Sequence, residues 1–169
     1  TKPCYFCRML NLDARIRAFD SLGNILKNYL NAPNALENEW LYGAVSLSFS
    51  KNGWFTEREV HFALAQWAEL LNEGAIKNWI DDDFESTQPA KVGLVLAGNI
   101  PLVGFHDVLS TILAGHIALI KCSSSDDVLI PTLLFKTREL EPGLSEHFEI
   151  LSGKLSEHEA IIATGSNNS

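Results

Sequence analysis

Two short apolar runs, "VGLVLA" from Val92 and "IALIKC" from Ile117, constrain this chain more than any other feature. Each is an unbroken stretch of aliphatic residues, without the alternation of a strand that has one wet face, so each reads as a strand buried on both sides. Between them Leu102, Phe105, Leu109, Ile112 and Leu113 recur at helical spacing, and Gly115 stands where that helix must stop. Pro101 fits the first turn of this helix. The pattern then repeats. "SSSDD" from Ser123 offers N-caps for a helix carrying Leu129, Leu133, Leu134 and Leu140, "EPG" stops it, "FEIL" is a third strand and "AIIATGS" a fourth. Strands alternating with helices predict β-α-β crossovers and a parallel sheet with helices against it.

The first half has a different grammar. Leu12, Ile16, Phe19, Leu26 and Leu30 recur as on a helix, although Gly23 weakens its middle. "NAPN" breaks the chain, and Leu36, Trp40, Leu41 and Leu47 suggest a shorter second helix. "TERE" from Thr56 is a capping box, followed by an apolar stripe of Val60, Ala63, Leu64, Trp67, Leu70 and Leu71. His61 is a helix-surface residue beside that stripe, and Trp79 and Ile80 close the helical unit. "DDDFESTQPA" reads as a linker, its acidic start a solvated loop. The fold class is therefore α/β: N-terminal helices over residues 9–90, then an incomplete Rossmann-like parallel sheet of about four strands with flanking helices over residues 91–169. Residues 1–8 differ in character, and with Met9 as a candidate start they are expected to be an upstream or non-native segment.

Of the 169 residues, 46% are hydrophobic and 20% charged, as in an ordinary globular protein. A net charge of -8 excludes the basic face that a nucleic-acid partner needs. No apolar run reaches the roughly 18 residues of a membrane span. Three cysteines and no recognisable signal peptide fit a reducing, cytoplasmic setting. Cys4 and Cys7 form a C-x-x-C without a second ligand pair, so no metal is expected.

In an open parallel sheet, ligands bind beyond the carboxyl ends of the strands. Gly98 and Asn99 follow the first strand. Lys121, Cys122 and the serines Ser123 to Ser125 end the second, and Thr164, Gly165 and Ser166 end the fourth. An amide, an ammonium, hydroxyls and accessible N–H groups suit a nucleotide, since helix N-termini and free N–H groups favour phosphate. No G-x-G-x-x-G and no G-x-x-x-x-G-K-[ST] is present. His106 and Asp107 suggest acid–base chemistry, but neighbours on a helix point in different directions. Asp107 is better explained by solvent or packing, and His116 as a structural residue. Asn99 alone reads as a turn residue that caps the following helix.

The stretch "AGNIPLVGFHDVLSTILAGHIALIK" resembles the LuxC-type acyl-CoA reductases, a branch of the aldehyde dehydrogenase superfamily, and "AIIATGSNNS" is similar to the same branch. The likeness is most specific over residues 91–169 and looser around "NGWFTEREVHFAL". It implies an aldehyde dehydrogenase-like cofactor domain, which manages without the usual glycine fingerprint. It also implies that Asn99, in "NIP", donates its amide to the oxyanion formed when a thiolate attacks an acyl carbonyl. Such a donor is typically worth roughly 3 kcal/mol in the transition state. By the same resemblance Lys121 bonds the adenosine ribose, with Ser123 and Ser124 beside it, and Gly165 and Ser166 lie against the pyrophosphate and nicotinamide ribose. Many NAD-preferring relatives carry a glutamate where this chain has Ser124. A carboxylate repels a 2′-phosphate and a serine can donate to it, so NADP(H) is expected to be preferred, with NAD(H) possible.

The expected function is thus the N-terminal, cofactor-binding part of an NAD(P)H-dependent acyl-CoA reductase. It would convert a long-chain acyl-CoA, or another acyl thioester, to a fatty aldehyde and CoA through a cysteine thioester. In the resemblance the nucleophile belongs to a later catalytic domain, so Cys122 is not assigned, and the chain is expected to be a fragment that is inactive alone. A homo-oligomer is compatible with the family. The alternatives are a non-catalytic nucleotide-binding or interaction module, and a piece of a short-chain acylating aldehyde dehydrogenase.

Overall fold

The computed structural model describes residues 9–80, 84, 86, 88–155 and 157–164. The first half is helical: α1 (Leu12–Asn31), a short 3₁₀ turn at Leu36–Asn38, α2 (Glu39–Lys51), α3 (Glu57–Leu70) and α4 (Glu73–Trp79). Strands and helices then alternate: β1 (Lys91–Val95), α5 (Phe105–Leu113), β2 (Ile117–Lys121), α6 (Leu129–Leu140), β3 (Phe148–Ile150) and β4 (Ala160–Ala163). All the strand pairs are parallel, in the order β3-β2-β1-β4. The predicted α/β architecture is the one observed, a partial Rossmann-like fold.

Local chemistry sets the helix starts. Asn11 accepts from the Ala14 N–H at 2.9 Å, Thr56 from the Glu59 N–H at 3.3 Å and Asn72 from the Ala75 N–H at 2.9 Å. Each satisfies one N–H that the first helical turn leaves free. The Asn72 cap makes α4 a helix of its own, which the apolar stripe did not separate from α3. At the other end of α5, Gly115 adopts φ 85 and ends the helix as expected.

One core runs through both halves. Ile16, Phe19, Leu22 and Leu26 of α1 belong to the same buried cluster as Leu94, Ala118, Ile120, Ile112 and Leu133. On the other face of β1, a Cβ at Gly93 would lie 3.2 Å from Leu155, so the β3–β4 connection covers the sheet there. The strand order carries the chain from β1 to β2 to β3 in one direction and returns it past β1 to β4. The order reverses at β1, which puts a crevice at the carboxyl ends of β1 and β4.

Several expectations shift. Leu36, in the 3₁₀ turn before α2, is 84% exposed, and Leu47 is 50% exposed because α2 turns Leu41, Ala44 and Val45 inward instead. Leu70 and Leu140, each the last residue of its helix, are largely exposed. Pro101 does not enter a helix: residues 101–104 form a turn, and α5 starts only at Phe105. Leu102 in that turn has φ 61, a left-handed conformation that an α-helix cannot contain.

Gly23 has a packing reason that helical periodicity conceals. A Cβ there would sit 1.9 Å from the backbone oxygen of Leu71, just past the end of α3. Glycine costs an exposed helix interior about 1 kcal/mol relative to alanine. Here it lets α1 approach the chain leaving α3. Gly23→Ala is therefore expected to destabilise the fold by about 1–3 kcal/mol, the usual cost of overpacking, against the sign that helix propensity gives. Urea unfolding of the two chains checks the sign.

Candidate functional site

The carboxyl ends of the strands surround an open cleft of about 1080 Å³. Its walls come from residues 95–99 after β1, from Lys121 to Ser125 after β2, from Ile150 to Ser152 after β3, and from Thr164 after β4. The structure thus brings together four of the six residues expected from sequence: Asn99, Lys121, Ser123 and Ser124. Gly165 and Ser166 lie outside the described residues, as do Cys4 and Cys7.

Backbone pairing builds the floor. The Leu96 N–H donates to the Lys121 carbonyl at 3.0 Å and the Thr164 N–H to the Val95 carbonyl at 3.0 Å, so the sheet continues past the strands into the cleft. Thr164 Oγ1 accepts from the Ala97 N–H at 3.2 Å. Gly98 packs so closely on the next loop that a Cβ would stand 2.5 Å from the Ser123 Cβ. Any larger residue would push the two loops apart.

Asn99 is exposed, and its amide makes no hydrogen bond among the described residues. It does not cap α5, whose N-cap is Gly104 with no side-chain bond. The capping explanation of Asn99 is therefore not the observed one. Ile100 and Val103 stand exposed beside it. Across the cleft Lys121 is exposed and has no carboxylate partner among the described residues. Ser124 is exposed with its hydroxyl unengaged among the described residues, whereas Ser123 Oγ accepts from the Ser125 N–H at 3.2 Å. The helical half supports this loop: Asn52 donates to the Ser125 carbonyl at 3.3 Å, and Lys51 of α2 pairs with Asp127 at 2.9 Å.

Cys122 is half-buried, and burial, with the Asp126 and Asp127 carboxylates adding to it, pushes its thiol up to about 12. Such a group stays protonated at neutral pH and is a poor nucleophile. His106 and Asp107 approach at 3.9 Å, but the His106 ring lies tilted against Trp79 with ring centroids 5.3 Å apart, and neither lines the cleft. The His116 Nδ1 accepts from the Ala90 N–H at 3.1 Å, a structural role. His61 likewise bonds the Tyr29 hydroxyl at 2.9 Å.

Asp126 is a residue of this site that the sequence pattern does not single out. "SSSDD" was expected to offer N-caps for α6, but the N-cap residue is Val128, which makes no side-chain capping bond. Asp126 is 3% exposed, and its Oδ2 accepts instead from the Leu102 N–H at 2.9 Å, under the Asn99 turn. Its Oδ1 is buried without a hydrogen-bond partner among the described residues. Burial raises the carboxyl from 3.8 to about 6, against the pull of the Leu102 and Leu129 N–H groups. The only signal in the sequence was an acid beside serines, which describes any helix start.

An open parallel sheet with uncommitted polar groups gathered beyond its carboxyl edge is the architecture of a partial Rossmann-like α/β protein. Residues 57–163 match the family described as acyl-CoA reductase (LuxC), and the chain belongs to that family. No curated protein matches it. Among the described residues no helix is long and apolar enough to cross a membrane.

A raised carboxyl pKa means that the folded state holds the proton more tightly than the unfolded one. Asp126 therefore penalises folding in full above pH 6, and the penalty fades as pH falls from about 6 towards 3.8. Asp126→Asn keeps an acceptor and removes the charge. The variant is expected to exceed the parent in stability by about 2–3 kcal/mol at pH 7, with the difference vanishing near pH 4. Denaturant unfolding across that range reads both ends.

Proposed function

We propose that this chain supplies the cofactor-binding part, with the oxyanion donor, of an NAD(P)H-dependent reductase that converts a long-chain acyl-CoA to a fatty aldehyde and free CoA. The carrying observation is that Asn99, whose amide makes no hydrogen bond among the described residues, lines one cleft together with Lys121 and Ser124. The residues present fit a dinucleotide. Among the described residues Lys121 has no carboxylate partner and the Ser124 hydroxyl is unengaged, and Gly98 leaves no side chain over the loop beneath them.

Lys121 and Ser124 hold the adenosine ribose, and Ser123 keeps its loop in shape through the Ser125 N–H. By the family resemblance Gly165 and Ser166, outside the described residues, would also contact the cofactor. The nicotinamide, when bound, supplies the hydride that reduces the acyl group. Asn99 donates its side-chain N–H to the acyl oxygen as negative charge develops there, on thiolate attack and again on reduction. A preorganised donor stabilises that charge more than it does the ground-state carbonyl. By the family resemblance the thiolate belongs to a later catalytic domain; Cys122, whose thiol burial pushes up, is not assigned that role. Collapse of the first adduct would expel the CoA thiolate and leave the enzyme thioester; after reduction, collapse would expel the enzyme thiolate and release the aldehyde. The absence of a carboxylate at Ser124 favours NADP(H).

Two measurements test the reading. NADPH binding followed by nicotinamide fluorescence should be detectable, and Ser124→Glu should weaken it roughly tenfold or more while sparing NADH, the scale of one close like-charge contact. Strict NADH use would overturn the cofactor preference. In the acyl-CoA reductase that carries this chain, Asn99→Ala should lower kcat by roughly 100-fold with little change in KM, because the bond forms only in the transition state.

A further inference from the structure

We infer that Asp126 is a positioning residue that sets the Asn99 turn in register with the Lys121–Ser124 loop, so that one buried group fixes the oxyanion donor relative to the cofactor side. The inference rests on the roles proposed above for Asn99 and Lys121, and its physical basis is independent of them.

Three observations carry it. First, Asp126 belongs to the loop after β2, but its bond goes to Leu102, in the turn after β1. Among the described residues this is the hydrogen bond that joins turn 98–104 to loop 122–128. Second, Leu102 is the one non-glycine residue described with positive φ, and it is fully buried. A leucine held at φ 61 needs surroundings that over-determine it, and a carboxylate on its N–H with apolar packing on its side chain supplies them. Third, Gly98 against Ser123 leaves no slack between the same two loops. A displacement of Asp126 is therefore passed to both.

The choice of a charged residue also argues against a purely stabilising role. A neutral side chain with the same acceptor would avoid the burial penalty on the carboxylate. A charged acceptor instead grips the Leu102 N–H more tightly and makes that grip depend on ionisation. The groups facing Asp126 are Asp127, itself paired with Lys51 of α2, and the Cys122 thiol. Turn 98–104 and the first turn of α6 carry no ionisable side chain.

The test uses the ¹⁵N-labelled chain and two variants. In the parent, the Leu102 backbone amide and the Asn99 side-chain amide should shift together with a midpoint at about pH 6. Asp126→Asn keeps the acceptor, so Leu102 should stay slow to exchange while the titration disappears. Asp126→Ala should speed Leu102 exchange by roughly tenfold or more, the scale of a hydrogen bond to a charged group. It should also move the Asn99 signal, leave Leu94 of β1 unchanged, and weaken NADPH binding. Rescue of the NADPH affinity by asparagine would support positioning. Signals of Leu102 and Asn99 that ignore both pH and the alanine substitution would overturn the inference. So would equal acceleration of Leu94 and Leu102, which marks general loosening. Failure of the parent to bind NADPH would sink the cofactor reading instead, and the amide measurements would still decide the role of Asp126.

Discussion

The carboxyl edge of this sheet depends on one buried contact, the Asp126 carboxylate on the Leu102 N–H. Burying a carboxylate is costly unless it is well paired, and here one oxygen has a partner and the other does not. What the contact achieves is local. It closes the turn after β1 against the loop after β2 and holds Leu102 in a backbone conformation that leucine rarely adopts. Asn99, in that turn, lines the cleft. The bond therefore serves geometry more than stability.

The helical half is a platform for the same edge. Gly23 lets α1 pack against the chain leaving α3, and Arg15 of α1 donates to the Leu113 carbonyl at 3.2 Å, at the end of α5. Asn52 and Lys51, at the end of α2, reach the loop after β2. The serine-rich loop is thus supported from the helical side, and the Asn99 turn from the sheet side. The family match spans this junction, from the start of α3 through β4. That fits a unit in which helices and sheet share one core.

Much of this was legible in the residue order. Unbroken apolar runs marked β1 and β2, since a strand buried on both faces has no need of alternation. Thr56 and Gly115 gave their helix ends through chemistry local to the chain. The gathering of Asn99, Lys121 and Ser124 followed from parallel topology, which sends successive strand ends to one edge. Misreadings arose where the partner is remote. Pro101 is compatible with a first helical turn, but the Asp126 bond holds the next residue in a left-handed conformation and delays α5 to Phe105. Leu47 fits a helical stripe, yet α2 rotates to bury Leu41 and Val45. Gly23 read as a weak point because Leu71 lies far along the sequence.

The sequence by itself determined the α/β order, the strands and the polar residues at their ends, because periodicity and capping act over a few residues. It also carried the family resemblance, in "GNIP" and "IALIK". Only the tertiary structure decided that Asn99 leaves α5 uncapped and that Asp126 reaches across to the turn after β1. Both depend on packing two loops that are distant in sequence within hydrogen-bonding distance of each other. No local pattern encodes that distance, since the sheet and the Gly98–Ser123 contact create it.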